Sequence, residues 1–196
     1  MTVDLFPEED GNTPLSPDEK LGLIPTWITL REELNEVEQA NILRGERWAF
    51  ARSRDVLDPA VLDDLHKHMF GKVWRWAGQY SKEKNRRIGS DSHMIPIDLH
   101  QRLGDVRYWI DHATYPPDEI AIRYHHHLVF IHPYPNGNGR LSRLAADVLI
   151  TSLGGERFTW GRASLTDPGE TRTRYLKGQH AADRHDIGPL LEFARS

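Results

Sequence analysis

Residues 131–143 read Ile-His-Pro-Tyr-Pro-Asn-Gly-Asn-Gly-Arg-Leu-Ser-Arg. This segment joins two apolar helical patterns through a loop at residues 132–138. The two prolines stiffen the loop because they fix φ, and the two glycines let backbone N–H groups approach a ligand. The loop ends at a helix N-terminus, where unbonded N–H groups and the helix dipole favour an anion.

Charged and titratable side chains lie at both ends of this loop. Arg140 and Arg143 are three residues apart and therefore share one face of the following helix. Two guanidinium groups beside a helix N-terminus favour a polyphosphate over a single carboxylate. His132 lies at the other end of the loop, where it is placed to act as a general base. A plain turn with solvated arginines is the alternative, and the combination of these features disfavours it.

The apolar periodicity on both sides of this segment predicts a mainly α chain with six to eight helices and one β-hairpin. Residues 1–25 are rich in proline and acids and predict an extended acidic N-terminal arm, and residues 26–196 form the domain. The stretch from Trp74 to Ile97 lacks a helical period and predicts the hairpin or flap. Helix starts are predicted at Thr29-Leu30-Arg31-Glu32 (a capping box), Asp58-Pro59, Asp98, Pro116-Pro117-Asp118, Asp167-Pro168 and Asp186.

Composition limits the classes of protein that the chain can represent. Its 196 residues suit one domain, and a net charge of −4 disfavours broad nucleic-acid binding. The absence of cysteine excludes disulfides, thiolate metal sites and a cysteine nucleophile. No apolar run is long enough to cross a membrane and the start of the chain does not resemble a secretory signal, so a cytoplasmic location is predicted.

The chain has 11 histidines, including the triplet His125-His126-His127. Successive helical residues point about 100° apart, so three adjacent side chains cannot converge on one metal ion. The triplet is predicted to place one histidine in the core behind the loop and the other two in solvent. His66 and His68 are predicted to face different ways on one helix.

The segment at residues 132–143 resembles the signature of Fic-domain proteins, His-Pro-Phe-x-(Asp/Glu)-Gly-Asn-Gly-Arg-x-x-Arg. The two agree at His132, Pro133, Gly137, Asn138, Gly139, Arg140 and Arg143. Three further stretches resemble the Fic subgroup called mobile mystery protein B, and the resemblance covers about residues 25–193. These stretches are WAG at 76–78, RYWIDH at 107–112 and YPPDEIA at 115–121.

The resemblance implies a Fic-type helical bundle with a small β-hairpin flap. It also implies a protein adenylyltransferase that moves AMP from ATP to a Ser, Thr or Tyr hydroxyl of a target protein. His132 would deprotonate that hydroxyl, and the flap, about residues 86–95, would hold the target by strand-like pairing. The phosphates would be held by Gly137, Asn138, Gly139, Arg140 and Arg143.

The chain departs from the family pattern at two positions and matches a further family motif only in part. Tyr134 replaces Phe, and Asn136 replaces the acid that holds Mg²⁺, which predicts weaker metal binding and leaves a kinase-like transfer open. Many Fic proteins carry an inhibitory Ser/Thr-x-x-x-Glu-Gly/Asn helix. Thr29 and Glu33 fit its spacing, so Glu33 is a candidate inhibitor acting through Arg143, although both residues also suit a plain helix start.

Other functions remain open at this stage. A non-catalytic nucleotide-binding or toxin–antitoxin interaction module is the alternative from another class, and His132 argues against it because binding alone needs no base. A regulatory or antitoxin partner and a homo-oligomer also remain open. The basic residues Lys82, Lys84, Arg86 and Arg87 would either steer a phosphate-bearing partner or form a solvated hairpin tip.

Overall fold

The structure is a computed structural model that describes residues 17–82, 89–162 and 168–196. The described residues are mainly helical, as the sequence predicts. The helices are α1 (Pro17–Lys20), α2 (Arg31–Phe50), α3 (Pro59–Phe70), α4 (Ile95–Asp111), α5 (Pro117–Ile131), α6 (Asn138–Ser152), α7 (Pro168–Ala182) and α8 (Gly188–Arg195).

Proline-marked helix starts are confirmed. At α3 the side chain of Asp58 accepts a hydrogen bond from the Ala60 N–H at 2.9 Å, with Pro59 in the first turn. α5 begins at Pro117 directly after Pro116, and α6 is followed by Gly154 with φ +85°. In each case the signal is local, because proline presets φ at a helix start and glycine tolerates positive φ after a helix end.

Two predicted caps are wrong. α2 begins one residue later than expected, with Leu30 as the N-cap, and the carboxylate of Glu33 accepts from the backbone N–H groups of Thr29 and Leu30 at 2.8 and 3.0 Å. The acid that closes this turn is therefore Glu33, not Glu32. α4 begins at Ile95 after the N-cap Met94, so Asp98 lies in the first turn instead of capping the helix.

The predicted β-hairpin is not seen. Residues 83–88 lie outside the described residues, residues 71–79 and 89–94 form turns and bends, and Ile95 already begins α4. Within the described ranges, β pairing is limited to a single bridge between Leu23 and Trp74. Trp74 packs its ring on Trp76 at 4.9 Å between centroids, so burial of these large rings replaces the alternating pattern of a strand.

Part of the predicted N-terminal arm lies on the domain. Residues 1–16 lie outside the described residues, and residues 17–20 form the short helix α1 instead of extended chain. The Ile24 N–H donates to the Val73 carbonyl at 2.8 Å, and the Arg75 N–H donates to the Gly22 carbonyl at 2.9 Å. Of the helices described, none is long and apolar enough to cross a membrane.

The helices pack mainly in neighbouring pairs, α2 on α3, α4 on α5, α5 on α6 and α7 on α8. α5 and α6 are the most buried, and α5 also contacts α8. The buried faces of these two helices include Ile120, Tyr124, Leu128, Ile131, Leu141, Leu144, Ala145, Val148 and Leu149. The loop between α5 and α6 therefore lies at one end of the core, held by two rigid helices.

Candidate active site

His132 ends α5 in the left-handed conformation, with φ +54°. Its backbone N–H donates to the Leu128 carbonyl at 3.0 Å, which closes the helix. Its Nδ1 lies 3.0 Å from the carbonyl oxygen of Val129, an acceptor, so Nδ1 carries the proton. In a neutral ring Nε2 would then be the nitrogen without a proton, which is the arrangement that a general base requires.

The loop after His132 is closed by Tyr134 and Asn138. The backbone N–H of Tyr134 donates to Asn138 Oδ1 at 2.9 Å, and Asn138 Nδ2 donates back to the Tyr134 carbonyl at 2.7 Å. Asn138 is 2% exposed and both atoms of its amide are used in this way. Its side chain fixes the shape of the loop, so any phosphate contact from this residue falls to its backbone N–H.

Side chains of α3 form hydrogen bonds with the same loop. His66 Nε2 donates to the Asn136 carbonyl at 3.0 Å, and its Nδ1 accepts from the Gly78 N–H at 2.9 Å. Burial lowers the pKa of His66 to about 3, so the ring stays neutral and bridges the two segments. Its ring stacks on Tyr134 at 4.0 Å, and the Tyr134 hydroxyl donates to Asp63 Oδ1 at 2.7 Å.

The N-terminus of α6 lies where the anion site is predicted. Gly137 is its N-cap with φ +80°, and a Cβ placed there would lie 2.6 Å from the ring of Phe70. Its own N–H donates to Asn136 Oδ1 at 2.6 Å. Among the residues described, no acceptor meets the backbone N–H groups of Asn138 and Gly139, so both can bind an anion.

The two arginines of α6 differ in their partners. Arg140 donates to Glu38 Oε2 at 2.7 Å, and the other oxygen of this buried carboxylate accepts from Trp74 Nε1 at 2.8 Å. Arg143 lies 5.3 Å from the ring centre of Tyr175, and burial lowers the pKa of its guanidinium. In the described ranges no carboxylate lies within ion-pair distance of Arg143, so its charge is available to a ligand.

Glu33 does not occupy the predicted inhibitory position. Its exposed carboxylate is bonded to Thr29 and Leu30 at the start of α2, and these two backbone N–H groups lower its pKa. The carboxylate of α2 that reaches the 132–143 segment is Glu38, and it pairs with Arg140, not Arg143. The difference arises because Glu33 lies in the first turn of α2, where the helix start takes up its charge.

Asn136 is the one predicted metal ligand, and its present contacts do not suit a cation. Its Oδ1 accepts from Gly137 and lies 3.4 Å from an Arg140 nitrogen, so a backbone N–H and a guanidinium already face that oxygen. Searching the described residues finds no group of three or more His, Asp or Glu side chains that could hold a metal ion. Mg²⁺ binding at Asn136 therefore stays a prediction, with an amide oxygen in place of the usual carboxylate ligand.

The predicted burial of the histidine triplet is wrong in part. Both His125 and His127 are buried, whereas the sequence predicts one, and His126 lies 2.9 Å from Asp183. Burial lowers the pKa of His125 and of His127 to about 3, so both rings are neutral. His66 and His68 do face different ways, the first buried and the second exposed.

The residues on both sides of the stretch 83–88 form hydrogen bonds with the backbone next to His132. The Ser81 N–H donates to the Pro133 carbonyl at 2.9 Å, and the Ser90 N–H donates to the Ile131 carbonyl at 3.0 Å. Gly89 has φ +90°, and a Cβ there would lie 2.5 Å from the Cβ of His132. Lys82 is exposed, whereas Lys84, Arg86 and Arg87 of the predicted basic cluster lie outside the described residues.

The sequence does not predict that four residues belong to the site: Asp63, His66, Glu38 and Tyr175. A buried position in an amphipathic helix is the sequence signal shared by His66 and Glu38, since both lie on the apolar face of their helices. Asp63 could be suspected only as the partner that a buried Tyr134 hydroxyl requires. Tyr175 has no local signal, because its relation to Arg143 depends on how α7 packs.

Comparison with known proteins agrees with this geometry. Residues 56–150 match the family model described as Fic/DOC family. "Protein adenylyltransferase fic-1" of Caenorhabditis elegans is 28% identical over 142 residues, which are 69% of this chain and 27% of that protein. "Protein adenylyltransferase Fic" of Drosophila melanogaster is 27% identical over 133 residues, 66% of this chain and 26% of that protein. The chain thus spans about a quarter of the length of these curated relatives.

Solved structures show the same fold. BepC from Bartonella tribocorum, crystallised with bound AMPPNP, superposes with a TM-score of 0.67 at 17% identity, over 92% of this chain and 97% of that one. Fic-1 from C. elegans gives 0.64 at 22% identity, over 95% of this chain and 56% of that one. The finer resemblance to mobile mystery protein B stays a prediction. The match to the Fic/DOC family model thus covers residues 56–150 of this chain, and the 132–143 segment lies inside the matched residues.

Proposed function

We propose that the chain transfers AMP from ATP to a Ser, Thr or Tyr hydroxyl of a target protein. The observation that carries the proposal is the orientation of His132, whose Nδ1–H donates to the Val129 carbonyl at the end of α5, on the same loop as the N-terminus of α6. A base and an anion site on one loop suit transfer of a phosphate ester. The relatives named protein adenylyltransferase and the AMPPNP-bound BepC support the same reaction.

In the proposed reaction the backbone N–H groups of Asn138 and Gly139 and the guanidinium of Arg143 hold the phosphates. The target hydroxyl gives its proton to His132 Nε2 as its oxygen forms a bond to the α-phosphorus. The bond from the α-phosphorus to the bridging oxygen breaks, and pyrophosphate leaves with the electron pair. Arg140, and more strongly Arg143, would balance the charge that builds up on the leaving group.

We infer that the target segment docks along residues 86–95. Support comes from the described part of this stretch, where Ser90 and Gly89 lie against Ile131 and His132. A segment laid there would present its hydroxyl next to the base. A regulatory or antitoxin partner and a homo-oligomer remain compatible with the fold. A cytoplasmic location stays a prediction, which fractionation of cells expressing the protein would test.

The test uses wild type and His132→Ala with ATP labelled at the α or the γ phosphate. Label from the α position on protein, absent with His132→Ala, supports AMP transfer. Label from the γ position on protein would indicate kinase-like transfer instead of AMP transfer, which is the alternative that Asn136 leaves open. ATP binding without either label, in a lysate that supplies candidate targets, would favour the nucleotide-binding or toxin–antitoxin module.

Asn136→Asp tests whether position 136 bears on metal dependence. The substitution adds a carboxylate beside the phosphate site, and carboxylates are the usual protein ligands of Mg²⁺. We expect transfer by the variant to reach half-maximal rate at a lower Mg²⁺ concentration than transfer by wild type. An unchanged Mg²⁺ titration would remove any metal role for this position, as the contacts of Asn136 with Gly137 and Arg140 already suggest.

A further inference from the structure

A polar cluster that the proposed reaction does not use is buried behind the anion site. His125 of α5 is fully buried, and its Nε2 lies 2.8 Å from the amide nitrogen of Gln179 and 3.2 Å from the hydroxyl oxygen of Tyr175, both on α7. Burial lowers the pKa of His125 to about 3, so the ring is neutral. Its Nε2 then has either one lone pair or one proton, but not both.

Because His125 Nε2 can form only one hydrogen bond, its bond to Gln179 determines whether it can accept the Tyr175 proton. When the Gln179 amide donates to the single lone pair of Nε2, no lone pair remains for the tyrosine proton. When Nε2 carries the proton instead, it donates, and the Tyr175 oxygen or the rotated amide oxygen of Gln179 accepts. In both arrangements His125 does not accept the hydroxyl proton of Tyr175, and the hydroxyl also has a hydrogen bond with the Gln179 side chain. Burial raises the pKa of Tyr175, which keeps that proton in place.

The hydroxyl lies beside the anion site. Its oxygen is 3.8 Å from the position of a Cβ built on Gly139, in the first turn of α6. The ring of Tyr175 faces the guanidinium of Arg143 at 5.3 Å. The Tyr175 hydroxyl, the Arg143 guanidinium and the first turn of α6 at Gly139 therefore lie close together, and the three suit an anion with several oxygens.

We propose that Tyr175 contacts the phosphate chain of the bound nucleotide and donates a hydrogen bond from its hydroxyl to a phosphate oxygen. The proposal rests on the proposed function only in that the ligand is a nucleoside triphosphate; it does not require that AMP be the group transferred. It assigns to α7 a phosphate contact, whereas the sequence predicts phosphate contacts only within residues 132–143.

The test is ATP binding to the full chain by calorimetry, with wild type, Tyr175→Phe and Tyr108→Phe. Tyr108 is an exposed tyrosine of α4 that stacks on His112, so its substitution is a matched control. We expect Tyr175→Phe to bind ATP about tenfold more weakly, because a hydrogen bond to a charged oxygen is lost. Adenosine, which lacks phosphates, should bind Tyr175→Phe and wild type equally.

Each outcome bears on the proposal. Equal ATP affinity of Tyr175→Phe and wild type overturns it, as does an equal loss for ATP and adenosine, which would mark a structural effect. A selective loss for ATP with an unchanged melting temperature supports it. If wild type binds ATP but transfers no label to protein, the proposed function fails while the Tyr175 comparison stands. If wild type binds no ATP, both are overturned.

Discussion

Tyr134→Phe restores the residue of the family signature, yet we expect it to destabilise this chain. Tyr134 is fully buried, and its hydroxyl donates to Asp63 Oδ1 at 2.7 Å. Burial raises the pKa of Asp63, and the Tyr134 bond opposes that rise. Phenylalanine keeps the ring that stacks on His66 but removes the donor from a partly buried carboxylate.

The size of the effect follows from the kind of bond lost. A hydrogen bond to a charged group contributes about 1.5–3 kcal/mol, and a buried acceptor left without its donor costs a similar amount. For a chain of this size, 1 kcal/mol shifts the melting temperature by about 2–4 °C. We therefore expect Tyr134→Phe to melt about 4–10 °C below wild type at neutral pH.

The loss should depend on pH, and its sign follows from Asp63. In Tyr134→Phe the folded-state pKa of Asp63 rises further above its unfolded value, so the variant loses stability relative to wild type as the pH rises through that pKa. Below the pKa of Asp63 in wild type the carboxyl is protonated in both proteins, and the difference shrinks. The gap in melting temperature should therefore be larger at about pH 7 than at about pH 4.

Thermal unfolding of wild type, Tyr134→Phe, Asp63→Asn and the double variant completes the test. With Asp63→Asn as background, the loss of the hydroxyl no longer leaves a charge without its donor, so the cost of Tyr134→Phe should fall to less than half. A Tyr134→Phe variant as stable as wild type at about pH 7 would refute the reasoning. The reasoning would also be refuted if Tyr134→Phe cost as much stability in the Asp63→Asn background as in wild type.

Three further predictions concern the same site and core. Glu38→Gln removes the charge that pairs with Arg140, so we expect about three- to tenfold tighter ATP binding by calorimetry, and unchanged affinity would contradict a competition for Arg140. Gly137→Ala forces a Cβ against Phe70 at positive φ and should cost about 1–3 kcal/mol of stability in urea unfolding, together with most of the ATP affinity. The three buried histidines of α3 and α5 have depressed pKa values, so stability should fall with pH below about 6.5, by up to about 4 kcal/mol per pH unit. Urea unfolding across that range measures the slope, and a flat profile would show that these histidines are not held neutral.

Local signals explain which parts of the fold could be predicted. Asp58 and Pro59 define the start of α3 because the cap and the preset φ act within one turn. The hairpin prediction fails because the absence of a helical period does not by itself indicate strands. The ring packing of Trp74 and Trp76 and the start of α4 at Ile95 depend on tertiary contacts and on Pro96 in the first turn.

In the site, too, local features could be predicted from the sequence and distant partners could not. The positions of the helix N-terminus at Gly137 and of His132 were predictable because both lie within one segment, while their roles as anion site and base stay predictions. The groups that set their state lie far away in the chain: Asp63 is 71 residues from Tyr134, and Glu38 is 102 residues from Arg140. A departure from a family signature at one position can thus be balanced by a partner that no local pattern reveals. Tyr134 replaces a phenylalanine without burying an unpaired hydroxyl because α3 supplies a carboxylate, so the two positions should be substituted together when either is tested.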